Sequence, residues 1–468
     1  SGKKQLIFQF ITEAVFTALL SGLVSVLLLL ILIPHFNALI DKNLSLALTQ
    51  PTHFLPLIFI TLICGFFSGL YPAFYLSSFK PIEVLKGTRR QTAAASFTRK
   101  GLVVIQFSIS IIFIISTILV YQQVQHVKSR DLGMEKENLI EVPAANGNLI
   151  KNFKSIEQEL TSSGLVESAA LVNSQILSGG NNTSGIEWQG KPENQDILIS
   201  YRTVTPQFFN TAGMKIKEGK GFGNSQDADS TKVLISESFA RLMNTDDVIG
   251  KTINWGEQVF TINGVVNDYL YGDMYGTSDP VIYYHQAEGA DYLYIKPATG
   301  VAIDKTLKEI EHVLKTQNPG FPFEYRFVDE AFNERFKSEQ LVGNLSQIFA
   351  LLAIIISCLG LFGLSAYTAE QRRKEIGVRK VLGSSVVGIV QLLSIDFMKL
   401  VLLAILISAP IAWYFMQHWL QGFAYRIDIK IWVFAVAGLV AVFIALLTVS
   451  FQAVKAAVAN PVKSLRTE

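Results

Sequence analysis

Charge is scarce in this chain, and cysteine and histidine are scarcer still. Only 17% of the 468 residues are Asp, Glu, Lys or Arg, 50% are hydrophobic, and the mean hydropathy is +0.35. That is too apolar for an ordinary soluble protein of this size and points to a membrane protein. The two cysteines, Cys64 and Cys358, both fall inside apolar runs, which argues against a disulfide framework and against a Cys-based metal site. The six histidines (His35, His53, His126, His285, His312, His418) are scattered, and none makes the i, i+4 pair of a zinc hydrolase helix. They read as surface or interface residues. The net charge of +2 hides local asymmetry, and no basic stretch interleaves with aromatics, so nucleic acid is not expected as a partner. No G-x-x-x-x-G-K-[ST] loop, nucleophile elbow or H-E-x-x-H motif occurs. No catalytic, metal or cofactor-binding residue is therefore expected, and the chain does not read as an enzyme.

What the sequence has in abundance is long apolar runs. A bilayer core about 30 Å thick needs about 20 apolar residues in a helix. Phe10–Pro34, Phe54–Tyr75, Leu102–Tyr121, Leu341–Leu364 and Ile431–Val454 meet that length, and a sixth run, Phe397–His418, contains Pro410. Proline is tolerated there because neighbouring helices can satisfy the freed carbonyl. The hydrophilic block 122–340 is long enough to be a folded domain.

Basic residues beside the spans set the orientation. Segment 76–100 holds Lys80, Lys86, Arg89, Arg90, Arg99 and Lys100; segment 368–392 holds Arg372, Arg373, Lys374, Arg379 and Lys380; the tail adds Lys455, Lys463 and Arg466. The alternate loops carry only Lys42, Arg426 and Lys430. The basic sides are cytoplasmic, so both termini lie inside and block 122–340 faces outward. The opening "GKKQLIFQFITEAVF" lacks a small-residue cleavage site, and no signal peptide is read there.

The chain also repeats itself. "TEAVF" at 12–16 overlays "IDFMK" at 395–399, placing Glu13 on Asp396, and His35-Phe36 falls on His418-Trp419. "PIEVLK" at 81–86 overlays "PVKSLR" at 461–466. Extended backwards, the first register puts Ser1 on Ser384. The expectation is a duplicated architecture whose first half, with a span, an outer domain, a second span and a charged helix, would precede Ser1.

Within the outer block, "NLIEVPA", "NLIKNFKSIEQELTSS" and "VESAALVNS" read as strand, helix and strand over 138–175. "DYLYIKPA", "VAIDKTLKEIEHVLKTQNPG" and "FEYRFVD" repeat that order over 291–329. Two βαβ-like units bracketing an insert suggest a split ferredoxin-like layer. The insert, about 176–288, reads as a mostly β lobe, and its Gly-Asn, Gly-Asp and Gly-Lys pairs read as turns.

One charged stretch stands between two apolar runs: "AEQRRKEIGVRKVLGSS", residues 369–385. Glu370 to Lys374 and Glu375 to Arg379 are i, i+4 acid-to-base pairs in the favourable direction, each supporting an exposed helix by about 0.2–0.5 kcal/mol. Ile376, Val378 and Leu382 supply an apolar contact surface, and Gly383-Ser384 is a stop signal. A rigid charged helix with an apolar surface is a handle for a partner. Glu13 and Asp396 are read at helix starts, where an acid favours the dipole.

"RRKEIGVRKVLGSS", "YRTVTPQFFNTAGMKIKEGKGF", "VIGKTINWGEQVFTINGVVND" and "SGLYPAFYLSSFKPIEVLKG" together resemble the MacB-like, FtsX-like permease subunits of ABC transporters, of the duplicated eight-span type and lacking most of its first half. The resemblance implies an α-helical membrane protein with six transmembrane helices and one α+β extracytoplasmic domain, made of a split ferredoxin-like porter lobe and a β-rich lobe. The implied domains run as follows. Residues 1–78 are the last two helices of the first FtsX-like half, 79–100 a cytoplasmic linker, and 101–122 a transmembrane helix. Residues 123–338 form the periplasmic core domain, with its porter lobe at about 136–175 and 289–335 and its insert at about 176–288. Residues 339–468 form the FtsX-like permease domain, with three transmembrane helices and a coupling helix at about 369–383.

The function implied is mechanotransmission for export or efflux, in which a separate cytosolic ABC ATPase dimer drives movement of the periplasmic domain. The alternative is a non-transporting signalling subunit that regulates an envelope process such as cell-wall hydrolysis. The ATPase contact would lie on Glu370, Arg372, Arg373, Glu375, Ile376, Val378, Arg379 and Leu382. Further implied partners are membrane lipid, a periplasmic adaptor, an outer-membrane channel and the N-terminal half of the same polypeptide. The implied location is the bacterial inner membrane, multi-pass, with the large domain in the periplasm.

Overall fold

The computed structural model describes residues 3–40, 42–47, 50–77, 93–144, 147–192, 196–223, 226–245, 247–320 and 322–458. Lys80, Lys86, Arg89 and Arg90 of the linker, and both members of the 81–86 and 461–466 repeat pair, lie outside the described residues. The chain divides into two compact units. One comprises residues 1–117, 341–410 and 434–468, and the other residues 118–340 and 411–433.

In the first unit, α1 (Lys3–Ile40) and α2 (Pro51–Ser77) pair closely. Along α1 the hydroxyls of Thr12, Thr17, Ser21 and Ser25 each donate to the carbonyl four residues back, which removes their polarity from an apolar surrounding. The contact with α2 is made by small residues. A Cβ added at Gly65 would come within 2.8 Å of the Val15 Cα, and one at Gly69 within 2.9 Å of the Ala14 Cβ. The two glycines, four residues apart on one face of α2, thus let the backbones approach in the manner of a G-x-x-x-G pair.

Next come α3 (Ala93–Lys128) and the outer block. Its elements are β1 (Ile140–Pro143), α4 (Gly147–Lys151), α5 (Phe153–Ser162), β2 (Val166–Val172), β3 (Asn181–Thr183), β4 (Ile186–Trp188), β5 (Ile199–Val204), α6 (Phe208–Thr211), β6 (Ile216–Gly219) and α7 (Gln226–Asp229). They continue with β7 (Lys232–Ser236), α8 (Glu237–Leu242), β8 (Thr252–Trp255), β9 (Gln258–Val266), β10 (Val281–His285), β11 (Tyr292–Pro297), α9 (Ile303–Gln317), β12 (Arg326–Phe327) and α10 (Val328–Glu334).

Strands β12, β1, β11 and β2 lie side by side in that order, all antiparallel neighbours, which is the 4-1-3-2 order of a ferredoxin-like layer. The insert does not build a second sheet. Through the single pair Val172↔Val204, β5 joins β2, and the same sheet continues as β10, β7, β9, β8 and β4. Helix α5 turns Phe153, Ile156 and Leu160 to the sheet, and α9 turns Ile310, Val313 and Leu314, so that both bury an amphipathic stripe against Ile140, Ala169, Leu171 and Leu293. A separate core in the insert gathers Trp188, Val233, Ile235, Phe239 and Ile282.

The chain returns to the first unit in α11 (Lys337–Gln371), followed by α12 (Arg373–Val381), α13 (Val386–Leu420) and α14 (Ile431–Val458). Pro410 sits inside an unbroken α13. On α14, Ala437, Ala441, Ala445, Val449, Ala453 and Ala457 recur every fourth residue and are all buried, a stripe of small side chains suited to close helix packing. Ser110 of α3 meets Ser357 of α11 at 3.1 Å, and the Ser108 hydroxyl donates to the Ala404 carbonyl of α13 at 3.3 Å. Among the described residues six helices, α1, α2, α3, α11, α13 and α14, are long and apolar enough to cross a membrane.

Candidate functional site

The charged stretch 369–385 forms two pieces instead of one helix. Helix α11 extends through Glu370 and Gln371, Arg372 breaks the regular geometry at φ −91° and ψ 13°, and α12 begins at Arg373. Glu370 binds Arg373 at 3.0 Å, three residues on, whereas the expected Glu375–Arg379 pair forms at 2.9 Å. The side chain of Lys374 lies outside the described residues.

The end of α12 follows the sequence signal. Gly383 has φ +89°, a left-handed value that costs a residue without Cβ nothing. The Ser384 N–H donates to the Arg379 carbonyl and the Gly383 N–H to the Lys380 carbonyl, the two bonds of a Schellman cap.

Three contacts fasten this helix. Ile376, only 4% exposed, packs among Ile389, Leu393, Ala453 and Ala457. Arg372 pairs with Asp396 at 2.9 Å. The Lys380 ammonium donates to the Ala457 carbonyl at 2.7 Å, which satisfies one of the free carbonyls at the end of α14.

Two expectations are corrected here. Ile376 is not part of an outward apolar surface, because α13 and α14 supply apolar side chains that enclose it. Asp396 is not a helix-start residue, since α13 begins at Val386, and Glu13 likewise lies well inside α1, which begins at Lys3. In both helices polar turns precede the apolar run, so the start of the run does not mark the start of the helix.

The outward apolar row is Val378, Val381 and Leu382, at 49%, 66% and 78% exposure. Their i, i+3, i+4 spacing places them on one face. Val381 was missed in the sequence, although its spacing from Val378 carries the signal. Arg379 and Glu375, both half-exposed, border this row, so the helix offers an apolar strip with charge of both signs beside it.

The outer unit has a feature with no sequence signal. The segment between α13 and α14 is gripped at Tyr425. Its N–H donates to the Tyr275 carbonyl at 2.8 Å, its carbonyl accepts from the buried Gln123 amide at 2.9 Å, and the Gln123 oxygen accepts from the Ile427 N–H at 2.9 Å. The Tyr425 ring stacks on His126 at 4.4 Å and lies 4.3 Å from the Arg130 guanidinium. Phe423 packs on Tyr275 at 4.5 Å. Gln123 and His126 come from the last turns of α3 and Arg130 from just beyond its end, so one helix end and the residues that follow it hold this segment by hydrogen bonds, stacking and a cation–π contact.

Elsewhere in the outer unit, the fully buried Arg202 donates to the Tyr269 hydroxyl at 3.2 Å, to Ser200 Oγ at 2.9 Å and to the Ser178 carbonyl at 3.1 Å. Burial opposes its charge, but the surrounding tyrosines, led by Tyr269, outweigh that and raise its pKa. Burial also pushes the Tyr271 hydroxyl up to about 12. Among the described residues no group of His, Cys, Asp and Glu is placed to hold a metal ion.

Residues 101–313 match the family model of the MacB-like periplasmic core domain, and residues 347–461 that of the FtsX-like permease C-terminal. Among curated proteins, the macrolide export ATP-binding/permease protein MacB of Salmonella paratyphi A is 23% identical over 292 residues, covering 59% of this chain and 44% of that protein. The MacB of Neisseria gonorrhoeae is 22% identical over 206 residues, covering 41% and 31%. The chain therefore spans less than half the length of these relatives. Among solved structures, the periplasmic region of MacB from Actinobacillus actinomycetemcomitans aligns with a TM-score of 0.32 at 16% identity, covering 45% of this chain and 97% of that one. The extracellular domain of the noncanonic ABC-type transporter YknZ from Gram-positive bacteria aligns at 0.29 and 15%, covering 40% and 98%. Six membrane-crossing helices and a periplasmic core domain make this a multi-pass inner-membrane protein with a periplasmic domain. The chain belongs to the MacB-like, FtsX-like family of ABC transporter permease subunits.

Proposed function

We propose that the chain is a mechanotransmission permease in which α12 is the cytoplasmic handle for a separate ABC ATPase, and in which force applied there moves the periplasmic domain to drive export. The observation that carries this reading is the exposed row Val378, Val381 and Leu382 on a helix fastened at Ile376, Arg372 and Lys380. An apolar row exposed to water is costly unless a partner covers it, and a helix fixed at three points moves with the helices that hold it. Those helices are α13 and α14.

Each residue has a distinct part. Val378, Val381 and Leu382 are the apolar contact; Glu375, Arg379, Glu370 and Arg373 set charge complementarity at its rim, which governs encounter and register more than affinity. Arg372 and Ile376 position the helix. In this reading ATP is bound and hydrolysed on the ATPase, and the residues of this chain transmit the resulting movement. In export, a periplasmic adaptor and an outer-membrane channel would complete the route from the outer domain.

The test is co-purification with the ATPase from membranes. Val381→Asp and Leu382→Asp together should reduce the recovered ATPase about 30-fold or more, as expected for charging a contact worth about 2 kcal/mol, with membrane insertion unchanged. Recovery equal to that of the unaltered chain would show that the handle lies elsewhere.

A further inference from the structure

A cavity of about 310 Å³ opens on the insert, over one face of β5, β10 and β9, and none of the mechanical features above uses it. Its wall is aromatic and continuous: the ring of Trp255 lies 5.0 Å from Tyr201 and 5.3 Å from Tyr284, and Tyr284 lies 5.0 Å from Phe260. Such a volume and such a lining fit a small ligand with a flat apolar body.

The polar rim of the cavity is made by Lys232, with the Gln258 and Gln286 amides beside it. The Tyr284 and Thr203 hydroxyls are buried out of reach of a ligand in the cavity.

Beside them sits a carboxylate whose capacity is already committed. Asp229 accepts from the Gly223 N–H at 2.6 Å, from Lys232 at 3.0 Å and lies 3.2 Å from His285 Nδ1. Burial would raise its pKa, but Lys232, the Gly223 N–H and His285 together outweigh that and hold the carboxyl below its usual range. Its charge is therefore present and matched by Lys232. The half-exposed Lys232 ammonium spends one N–H on Asp229 and has two more to offer. The cavity thus presents a lysine with spare donors, and a carboxylate already committed, next to an aromatic wall.

The geometry points to a binding site for a small amphiphilic anion, whose planar apolar body lies on the Trp255, Tyr201 and Tyr284 rings and whose carboxylate accepts from Lys232. A cation would find no free carboxylate, because Asp229 is already committed. The site does not depend on the coupling role of α12.

The full chain in nanodiscs of zwitterionic lipid is titrated calorimetrically with 2-naphthoate, with empty nanodiscs as the reference and 2-naphthylmethylammonium as the oppositely charged analogue. One saturable site is expected for the anion and none for the cation. Trp255→Ala and Lys232→Gln should each weaken binding about tenfold or more. Lys232 is half-exposed but pairs with the buried Asp229, so Lys232→Gln should lower the melting transition slightly, and its binding is measured well below that transition, where the chain is folded. The proposal is overturned by heat no greater than that of empty nanodiscs, by unchanged affinity in either Trp255→Ala or Lys232→Gln, or by the ammonium analogue binding as tightly as the carboxylate.

Discussion

Helix α1 meets α2 through glycine and alanine, whereas α9 meets its sheet through isoleucine, valine and leucine. At the first contact Gly65 and Gly69 lie against Val15, Ala14 and Ile11 with no room for a Cβ. At the second, Ile310, Val313 and Leu314 are fully enclosed by the apolar face of the sheet. The difference follows from the solvent. Water expels large apolar side chains at about 25 cal/mol per Å², so the outer domain gains by burying them. Lipid tails are as apolar as leucine, so in the membrane the gain comes from close backbone approach and from hydroxyls paired within the helix. Large apolar residues such as Leu27 and Phe59 are accordingly left on the helix exteriors.

That contrast can be broken from both sides. The largest effect should come from emptying the outer core: Phe239→Ala, at a fully buried ring in contact with Trp188, should cost about 3–5 kcal/mol. It should lower the melting of the outer domain by about 10 °C, read by scanning calorimetry. A mid-sized effect should follow from filling the membrane contact. Gly65→Leu puts a side chain where a Cβ alone would meet the Val15 backbone, and should destabilise the α1–α2 pair by about 1–3 kcal/mol. The readout is the midpoint of unfolding in mixed micelles. Leu27→Ala, which removes far more apolar surface from an exposed position, should move that midpoint by less than about 0.5 kcal/mol. The smallest effect belongs to the half-exposed Glu375–Arg379 pair, where Glu375→Ala should change stability by only about 0.3–0.5 kcal/mol because water screens it.

The same physics decides what could be read from the sequence. Each of the six spans is visible as an apolar run because the bilayer fixes its length, but helix ends are not. Helix α3 runs Ala93–Lys128 around an apolar run of Leu102–Tyr121, since a helix continues into the polar interface without any change of backbone geometry. The ferredoxin-like layer is legible because its two helices carry their apolar stripes locally. That the insert would extend the same sheet depends on the pairing Val172↔Val204, between strands well separated in sequence, and no local pattern encodes it.

At the candidate handle the charges, the Glu375–Arg379 pair and the Gly383 stop were legible. The inward turn of Ile376 was not, because its neighbours Ile389, Leu393 and Ala453 come from two other helices. The Lys380 bond to Ala457 and the Arg372–Asp396 pair have the same non-local origin. The grip of Gln123, His126 and Arg130 on Tyr425 joins residues about 300 positions apart by single contacts, so nothing in either stretch announces it.

The central claim is that the exposed row of α12, and not its buried anchor, meets the ATPase. Single cysteines at Leu382 and at Ile376, in a background with Cys64 and Cys358 replaced by alanine, can be exposed in membranes to a short homobifunctional thiol crosslinker in the presence of the ATPase. The expected result is a crosslinked permease–ATPase species from Leu382→Cys and none from Ile376→Cys. A crosslink from Ile376→Cys with none from Leu382→Cys would contradict the account.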